Sequence, residues 1–339
     1  MKYRIAWMKG DGIGPEISQA AIKVIEALGD LYDIGWEIRF YEMGDETKKR
    51  FGTALPEETL DGIRASDLAI KGPVGETAFE SIVYLRQTLD LYANIRPARS
   101  YKGVPSVKPM DILIVRENTE DLYKGIEFKI NDTAVALKLI TEKGTRRIAK
   151  VAANYALNRK KKVTIVHKAN VMRVTDGFFR DIAKQELERY GLEVDEKYVD
   201  AMSMAIIRNP QDFDVLLTPN VYGDILSDEA AQAAGGLGFA ASANIGDESN
   251  LFEPVHGSAP DIAGKGIANP YSMFNVLVMA LDYLWINKKD ANARYAKEGL
   301  EKAVETCIEK GYLTPDAGGK LKTEEVTKYL EQELKAYVK

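Results

Sequence analysis

The chain has 339 residues, of which 45% are hydrophobic and 29% are charged, and its formal net charge is −5. This length suits two domains, or one domain interrupted by another, and the weak charge without an acidic or basic tail gives no indication of nucleic acid or an anionic membrane as a partner. A single cysteine, Cys307, excludes an intramolecular disulfide and a cysteine-based metal site, and its helical register with apolar neighbours predicts core packing.

The first predicted element is a strand at Tyr3–Met8, which starts without the apolar segment of a signal peptide. No apolar run in the chain reaches ~18 residues, so no transmembrane helix is expected and the sequence predicts a soluble, cytoplasmic protein. A glycine turn at 10–16, GDGIGPE, and an amphipathic helix follow. The glycine spacing is G-x-G-x-G rather than G-x-G-x-x-G, which argues against a Rossmann site and indicates a turn whose backbone passes close to another segment.

Further elements follow from apolar periodicity and from glycine and proline positions. The predicted strands are Trp36–Tyr41 and Leu68–Lys71, and the predicted helices are Ser81–Tyr92, Arg146–Asn158, Thr175–Tyr190, Asn275–Trp285, Asn292–Lys310 and Thr323–Val338. The alternating segment Thr133–Ile140 predicts an exposed antiparallel arm. Ala230–Ala243 is expected to form a helix and crossover, and Phe252–Pro270 a long functional loop.

Three strands in the middle of the chain are continuous apolar runs, which is typical of strands buried on both faces. They are Asp111–Val115, Val163–Val166 and Val215–Leu217. A polar cluster follows each of them, namely Arg116–Tyr123, His167–Asn170 and Asn220–Asp228. Because ligands in open α/β sheets bind beyond the carboxyl ends of the strands, these clusters are expected to converge on one cleft.

Asp224 and Asp228 are four residues apart, which on a helix puts both carboxylates on one face about 6 Å apart along the axis. Two like charges so placed cost an isolated helix roughly 0.2–0.5 kcal/mol, and a hard divalent cation would offset that repulsion. Acidic residues near a helix N-terminus also cap free N–H groups. From this segment alone, a metal site and a helix cap both remain open.

The motifs in these segments resemble those of the β-decarboxylating dehydrogenases, which comprise isocitrate, homoisocitrate and 3-isopropylmalate dehydrogenases. The resemblance covers essentially the whole chain. It rests on GDGIGPE at 10–16, RQ at 86–87 before LDLYANIRP at 89–97, RENTEDLY at 116–123, HKAN at 167–170, VDAM at 199–202, GDILSD at 223–228 and EPVHGSAPD at 253–261.

The resemblance implies an α/β protein with the isopropylmalate-dehydrogenase-like fold, which is not a Rossmann fold. Residues 1–99 and 235–339 would form a large discontinuous domain, and residues 100–234 a small one, with a mixed sheet spanning both. An arm near Thr133–Ile140 would clasp a twofold mate. The expected assembly is therefore a homodimer with shared active sites, and a further pairing into a tetramer stays open.

The implied reaction oxidises a 2-hydroxy acid that bears a 3-carboxylate and then releases that carboxylate as CO₂. The matching substrate arginines are Arg86, Arg96 and Arg116, since guanidinium groups bind carboxylates bidentately. The matching catalytic residues are Lys168, a base contributed by the mate, and Tyr123, which protonates the enol carbon. The implied metal is Mg²⁺ or Mn²⁺, held by Asp224, Asp228 and the mate's counterpart of Asp200.

The cofactor expected from the resemblance is NAD, because Asp261 stands where relatives that use NADP carry Lys. A carboxylate there accepts both ribose hydroxyls and repels a 2′-phosphate; alternatively, Asp261 only caps the residues after it. The other implied cofactor contacts are His256, Gly257, Ser258 and Ala259 in the loop, Asn269 at the adenine, and Asn170 and Glu253 near the nicotinamide. His167 is interpreted as structural.

The segment Val74–Arg86 is expected to contact the substrate's γ-group and so to discriminate between substrates. Ser81 could bind a γ-carboxylate, whereas Ile82 and Val83 could contact an isopropyl group. The motifs around Tyr123 and Lys168 favour homoisocitrate with broad tolerance, and isocitrate and 3-isopropylmalate are the alternatives. A non-catalytic regulatory subunit is disfavoured because the chain keeps all the catalytic and metal residues together.

Overall fold

The strands of the computed structural model, which describes residues 1–338, are spread along the whole chain. They are β1 (Lys2–Met8), β2 (Gly35–Tyr41), β3 (Leu68–Lys71), β4 (Ala93–Arg99), β5 (Asp111–Glu117), β6 (Glu127–Ile130), β7 (Thr133–Ala136), β8 (Lys162–His167), β9 (Glu193–Tyr198), β10 (Val215–Thr218), β11 (Ala241–Ile245) and β12 (Asn250–Pro254). All of them except β6 and β7 join one sheet, in the order β2-β1-β3-β12-β11-β4-β5-β10-β8-β9.

The sheet consists of two parallel blocks joined by antiparallel strands. One block is β2, β1, β3 and β12, and the other is β5, β10, β8 and β9. Between the blocks, β11 and β4 pair antiparallel with each other and with their outer neighbours β12 and β5. This mixed sheet confirms the expected α/β fold. The proposed domain boundary after residue 99 falls between the neighbouring strands β4 and β5, and the division itself stays a prediction.

Helices cover both faces of the sheet and connect its strands. They are α1 (Gly14–Tyr32), α2 (Asp45–Phe51), α3 (Glu57–Arg64), α4 (Tyr84–Thr88), α5 (Glu142–Leu157), α6 (Thr175–Leu187), α7 (Val199–Arg208), α8 (Asn220–Ala234), α9 (Tyr271–Lys288), α10 (Ala291–Glu309) and α11 (Thr323–Leu334). A five-residue π-helix, Phe79–Val83, precedes α4 directly. Within residues 1–338, no helix is both long enough and apolar enough to cross a membrane.

The first glycine turn behaves as its spacing predicts. Gly12 has a positive φ of 56°, and a Cβ on it would lie 2.0 Å from the carbonyl oxygen of Ser258. The next amide, of Ile13, donates to that same oxygen at 2.8 Å. Helix α1 then begins with proline in its first turn, where the missing N–H costs nothing. The turn therefore fixes the segment around Ser258 against the start of α1.

Several of the predicted secondary-structure types and boundaries were wrong. The expected helix and crossover over Ala230–Ala243 ends at Ala234, and β11 follows after two glycines with positive φ. β11 reads ASANI, whose small residues carry little strand preference, so its pairing with β4 and β12 overrides its composition. The expected loop Phe252–Pro270 begins inside β12. Helix α8 starts at Asn220, so Asp224 and Asp228 both lie inside it.

The expected arm is present as a hairpin. β7 pairs antiparallel with β6, and nearly every residue of both strands is exposed. The side chain of Cys307 is buried in α10, as its helical register predicted.

Candidate active site

Asp224 and Asp228 lie one turn apart on α8. Within the chain, the positive charges near these two carboxylates belong to arginine side chains. Arg96 Nη1 lies 3.3 Å from Oδ1 of each carboxylate. Arg116 Nη1 lies 2.5 Å from Asp224 Oδ1. Burial opposes ionisation of Asp224, but the charges of Arg116 and Arg96 outweigh it and lower the pKa of its carboxyl. Burial and the charge of Asp224 raise the pKa of Asp228 in spite of Arg96. Both carboxylates contact arginine, and neither caps the helix.

The sheet itself places the arginines. Arg96 comes from β4 and Arg116 from the neighbouring strand β5, where Arg116 pairs with Asn94 across the two strands. Neutral oxygens hold both side chains in place: Arg116 Nε and Nη2 donate to Asn220 Oδ1 at 2.8 and 2.6 Å, and Arg96 Nε donates to Asn94 Oδ1 at 2.7 Å. Burial, together with the charge of Arg96, lowers the pKa of Arg116 to about 10.

Arg86 reaches the same region from α4. Its Nη2 donates to Glu253 Oε1 at 2.8 Å, and its Nε is buried without a hydrogen-bond partner among residues 1–338. A buried guanidinium N–H without an acceptor is costly, so an anionic ligand that accepted it would be stabilised. The geometry of Arg86 thus fits the carboxylate-binding role that the motif implies.

Tyr123 lies against these charges in a short 3₁₀-helix, Leu122–Lys124. Its hydroxyl donates to Asp224 Oδ2, and the guanidinium carbon of Arg116 lies 5.1 Å from the centre of its ring. Burial raises the pKa of Tyr123, and the hydrogen bond to Asp224 raises it further. Burial and this hydrogen bond therefore both favour the protonated phenol.

Lys168 and Asp200 form a second group. Lys168 follows β8, and its Nζ lies 2.7 Å from Asp200 Oδ1 at the start of α7. Within a single chain, Asp200 does not join Asp224 and Asp228: residues 1–338 contain no set of three His, Cys, Asp or Glu side chains that could hold one metal ion. Asn170, beyond Lys168, is exposed.

Glu253, implied as a nicotinamide contact, is buried in β12 among cations. Its Oε2 lies 2.9 Å from Lys71 Nζ, and its Oε1 accepts from Arg86 and, at 2.7 Å, from Asn244. Burial would raise the pKa of Glu253, but Lys71 and Arg86 hold it well below its usual range. The carboxylate is thus fully engaged with protein groups and fixes the orientation of Arg86.

The rest of the implied cofactor segment is a loop on the surface. Gly257, Ala259 and Asp261 are exposed, and Asp261 lies in a 3₁₀-turn without making a cap. His256 is held through Nε2, 2.8 Å from Ser272 Oγ, and burial lowers its pKa. Asn269 is buried, and its amide is already paired with Asp316 Oδ2 at 3.0 Å. Adenine would therefore have to replace or share that hydrogen bond.

The residues expected to contact the substrate's γ-group differ in their hydrogen bonding and packing. Ser81 is fully buried in the π-helix, and its hydroxyl donates to the carbonyl oxygen of Thr77 at 2.7 Å. Ser81 is therefore not free to bind a γ-carboxylate. Val83 lies one turn before Arg86, and together with Ile82 it belongs to an apolar cluster against which Tyr123 packs. Ile82 and Val83 are themselves buried, at 7% and 8% exposed, and the exposed side chains of this segment are the aromatic Phe79 and Tyr84.

Several residues that hold the site were missed from the sequence. Asn94 and Asn220 orient the arginines, Lys71 pairs with Glu253, and Ser227 Oγ accepts from Arg96 Nη1 at 2.8 Å. Asn94 and Ser227 lie inside motifs that were recognised, and Asn220 begins a predicted polar cluster, so their proximity to substrate residues in the sequence was a usable signal. Lys71 ends a buried strand, and a lysine at such a position needs a counter-charge that the sequence does not identify.

Comparison with known proteins gives consistent results along the whole chain. The family described as isocitrate/isopropylmalate dehydrogenase matches residues 4–330. A 3-isopropylmalate dehydrogenase of Saccharolobus solfataricus is 48% identical over 337 residues, covering 97% of this chain and 100% of that protein. A homoisocitrate dehydrogenase of Methanocaldococcus jannaschii is 42% identical over 358 residues, covering 98% and 99%. The crystal structure of isocitrate dehydrogenase from Methylococcus capsulatus superposes with a TM-score of 0.90 at 42% identity, covering 98% of this chain and 99% of that one.

Proposed function

Because the chain belongs to the isocitrate/isopropylmalate dehydrogenase family, we propose that it oxidises a 2-hydroxy acid with NAD⁺ and removes the 3-carboxylate as CO₂. The observation that carries the proposal is the convergence of Arg86, Arg96 and Arg116 with Tyr123 around Asp224. Buried guanidinium groups bind a dianionic or trianionic substrate strongly and orient it.

The acidic residues fit a divalent metal by their chemistry. Asp224 and Asp228 are carboxylates on one face of α8, and oxygen ligands suit Mg²⁺ and Mn²⁺. Asp200 of a second copy of the chain would supply the third carboxylate. When bound, the metal would polarise the C2 oxygen and stabilise negative charge on the enolate.

Two side chains would move protons in the proposed reaction. Lys168 of the second copy would take the proton of the substrate hydroxyl as hydride leaves, which requires it to be neutral at that moment. Tyr123 would return a proton to the carbon that has lost CO₂. The hydrogen bond from Tyr123 to Asp224 supports this role because it holds the phenol proton inside the site.

A homodimer with shared sites accounts for the separation of Lys168 and Asp200 from the arginines. Apolar side chains that would otherwise face water support this assembly. Met204 of α7, Ile225 of α8 and Phe128 of the hairpin are 67%, 62% and 47% exposed. Exposed apolar surface of this kind is typical of protein–protein contacts.

We propose 3-isopropylmalate rather than homoisocitrate as the preferred substrate; in support, the 3-isopropylmalate dehydrogenase relative is more similar to this chain than the homoisocitrate dehydrogenase relative, at 48% against 42% identity. Residues 74–84 contain Glu76 and Glu80 but no Lys or Arg, so this segment offers no cation to a γ-carboxylate. The buried hydroxyl of Ser81 offers no hydrogen bond either. An isopropyl group, in contrast, needs no polar partner, and it would contact the small part of Val83 that stays accessible, 8% of its surface. Homoisocitrate and isocitrate remain the competing substrates.

We expect kcat/KM for 3-isopropylmalate to exceed the values for homoisocitrate and isocitrate by about 10-fold or more, the discrimination that apolar contacts can provide. The measurement is NADH absorbance with Mg²⁺ and each acid in turn. Val83→Thr should lower kcat/KM for 3-isopropylmalate several-fold and leave the value for isocitrate unchanged, so isocitrate serves as the control. A clear preference of the unaltered protein for homoisocitrate would refute this assignment.

Asp261→Lys is expected to raise the KM for NAD⁺ by about 10-fold or more, because a charged hydrogen bond is worth about 1.5–3 kcal/mol. The KM for the hydroxy acid should not change. Glu248→Lys makes the same charge reversal at another exposed loop position and is the matched control. An unchanged KM for NAD⁺ in Asp261→Lys would show that this carboxylate does not contact the cofactor.

A further inference from the structure

Lys138 lies between two buried carboxylates, apart from the substrate arginines. It follows β7, and its side chain is only 10% exposed. Its Nζ lies 2.7 Å from Asp176 Oδ1, 3.6 Å from Asp121 Oδ1 and 4.4 Å from the ring centre of Tyr222. Asp121 and Asp176 are 1% and 0% exposed. Because two buried carboxylates lose their hydration and repel each other, the cation between them is what makes burying both tolerable.

Asp121 fixes the turn that carries Tyr123. Its φ is +65°, a conformation that non-glycine residues rarely adopt and that persists only when the surroundings impose it. Its backbone N–H donates to Leu139 O at 2.8 Å, and its Oδ1 accepts from the N–H of Leu122 at 2.9 Å. Its Oδ2 accepts from the N–H of Val221, in the first turn of α8, at 3.0 Å. Asp121 thereby joins the Tyr123 turn to the helix that bears Asp224.

Asp176 fixes the segment that carries Lys168. It lies in the first turn of α6, and its Oδ2 accepts from the backbone N–H of Lys168 at 2.6 Å. That amide follows the last residue of β8, so the hydrogen bond sets the direction in which the chain leaves the strand. The other oxygen of Asp176 is the one paired with Lys138.

We propose that Lys138 is a positioning residue for both proton-transfer residues: its ammonium group holds Asp121 and Asp176, which fix the backbones bearing Tyr123 and Lys168. Lys138 need not touch the substrate, the metal or the cofactor. The proposal rests on the proposed function for the roles of Tyr123 and Lys168, while the ion pairs and backbone hydrogen bonds stand independently of it.

Lys138→Met removes the charge and keeps the length of the aliphatic stem. It is expected to lower kcat with 3-isopropylmalate about 10- to 100-fold, the effect of misplacing reacting groups by about 1 Å. The KM for NAD⁺ should stay within twofold because the cofactor loop is separate from this cluster. The pH profile of kcat should also shift, since two proton-transfer groups are displaced. Lys138→Arg, which retains the cation, should recover much of the rate.

The matched control is Lys162→Met. Lys162 also contacts two carboxylates, Glu193 at 2.9 Å and Asp195 at 3.4 Å, but Glu193 is exposed, Asp195 is only half-buried, and neither holds a catalytic segment. This variant should leave kcat and the pH profile unchanged. If Lys138→Met does not fold, Asp176→Asn carries the same test, because it keeps an oxygen for the Lys168 N–H and puts at the place of the other oxygen an NH₂ group, which cannot pair with the Lys138 ammonium.

Hydrogen exchange separates this proposal from the proposed function. In Lys138→Met, backbone amides in peptides covering 118–124 and 166–176 should exchange faster than in the unaltered protein, whether or not any acid is turned over. Absence of turnover by the unaltered protein would count against the proposed function but not against the role of Lys138. Unchanged exchange in both peptides, or an unchanged kcat and pH profile in folded Lys138→Met or Asp176→Asn, would overturn the role of Lys138.

Discussion

Asp224→Asn is expected to lower kcat by about 1,000-fold, at the upper end of the losses seen when one electrostatic partner of a reacting centre is removed. Asp224 accepts the Tyr123 hydroxyl, pairs with Arg116 and Arg96, and is a proposed metal ligand. Asparagine keeps the shape of the side chain but removes its charge. The fold should survive, because Arg116 retains Asn220 and Arg96 retains Asp228 as partners.

The measurement is kcat at saturating 3-isopropylmalate, NAD⁺ and Mg²⁺, with thermal unfolding measured beside it. Asp61→Asn, which removes an exposed carboxylate paired with Arg64 on α3, is the control and should retain full activity. Retention of more than a tenth of the original kcat by Asp224→Asn would contradict the central place given to this carboxylate.

The same variant tests whether active sites are shared between copies of the chain. Lys168→Ala should also be inactive, yet refolding it in an equal mixture with Asp224→Asn should restore up to about one-quarter of the original activity. Half of the dimers would then be mixed, and each would hold one site with neither change. If Lys168 and Asp224 serve a site within one chain, every site keeps a defect and the mixture stays inactive.

The sequence predicted best where the physical signal was local. The apolar runs that became β5, β8 and β10 needed no knowledge of distant partners, because a short continuous hydrophobic run is enough to indicate a buried strand. Their carboxyl ends do carry the predicted polar clusters. Within one chain, however, these clusters form two groups, one around Asp224 and one around Lys168.

Prediction failed where partners distant in sequence decide the structure. β11 is a strand because β4 and β12 flank it, and its own small residues give no sign of this. Ser81 looked like a candidate ligand by residue type, but a π-helix turns its hydroxyl onto the carbonyl of Thr77. Lys138 lies in the segment predicted to be an exposed arm, and only the fold places two buried carboxylates around it.

Glu253→Gln is expected to lower the free energy of unfolding by about 3–5 kcal/mol at neutral pH, the cost of removing one partner from a buried ion pair. Lys71 and Arg86 would remain as buried cations with no carboxylate between them. The neutral amide of the variant cannot balance their positive charge. Because Arg86 would also lose the group that orients it, the KM for the hydroxy acid should rise. Denaturant unfolding at pH 7 measures the first effect and steady-state kinetics the second.

The effect on stability should depend on pH with a definite sign. The pKa of Glu253 in the folded protein lies below its usual value of 4.5, so its contribution to stability is present above that value and is lost as the pH falls below it. The difference between Glu253→Gln and the unaltered protein should therefore shrink towards the acidic limit. Glu193→Gln, which breaks an exposed pair with Lys162, is the control and should cost less than about 1 kcal/mol at any pH. If Glu253→Gln cost no more than Glu193→Gln, the buried cations would have to be stabilised by groups other than this carboxylate.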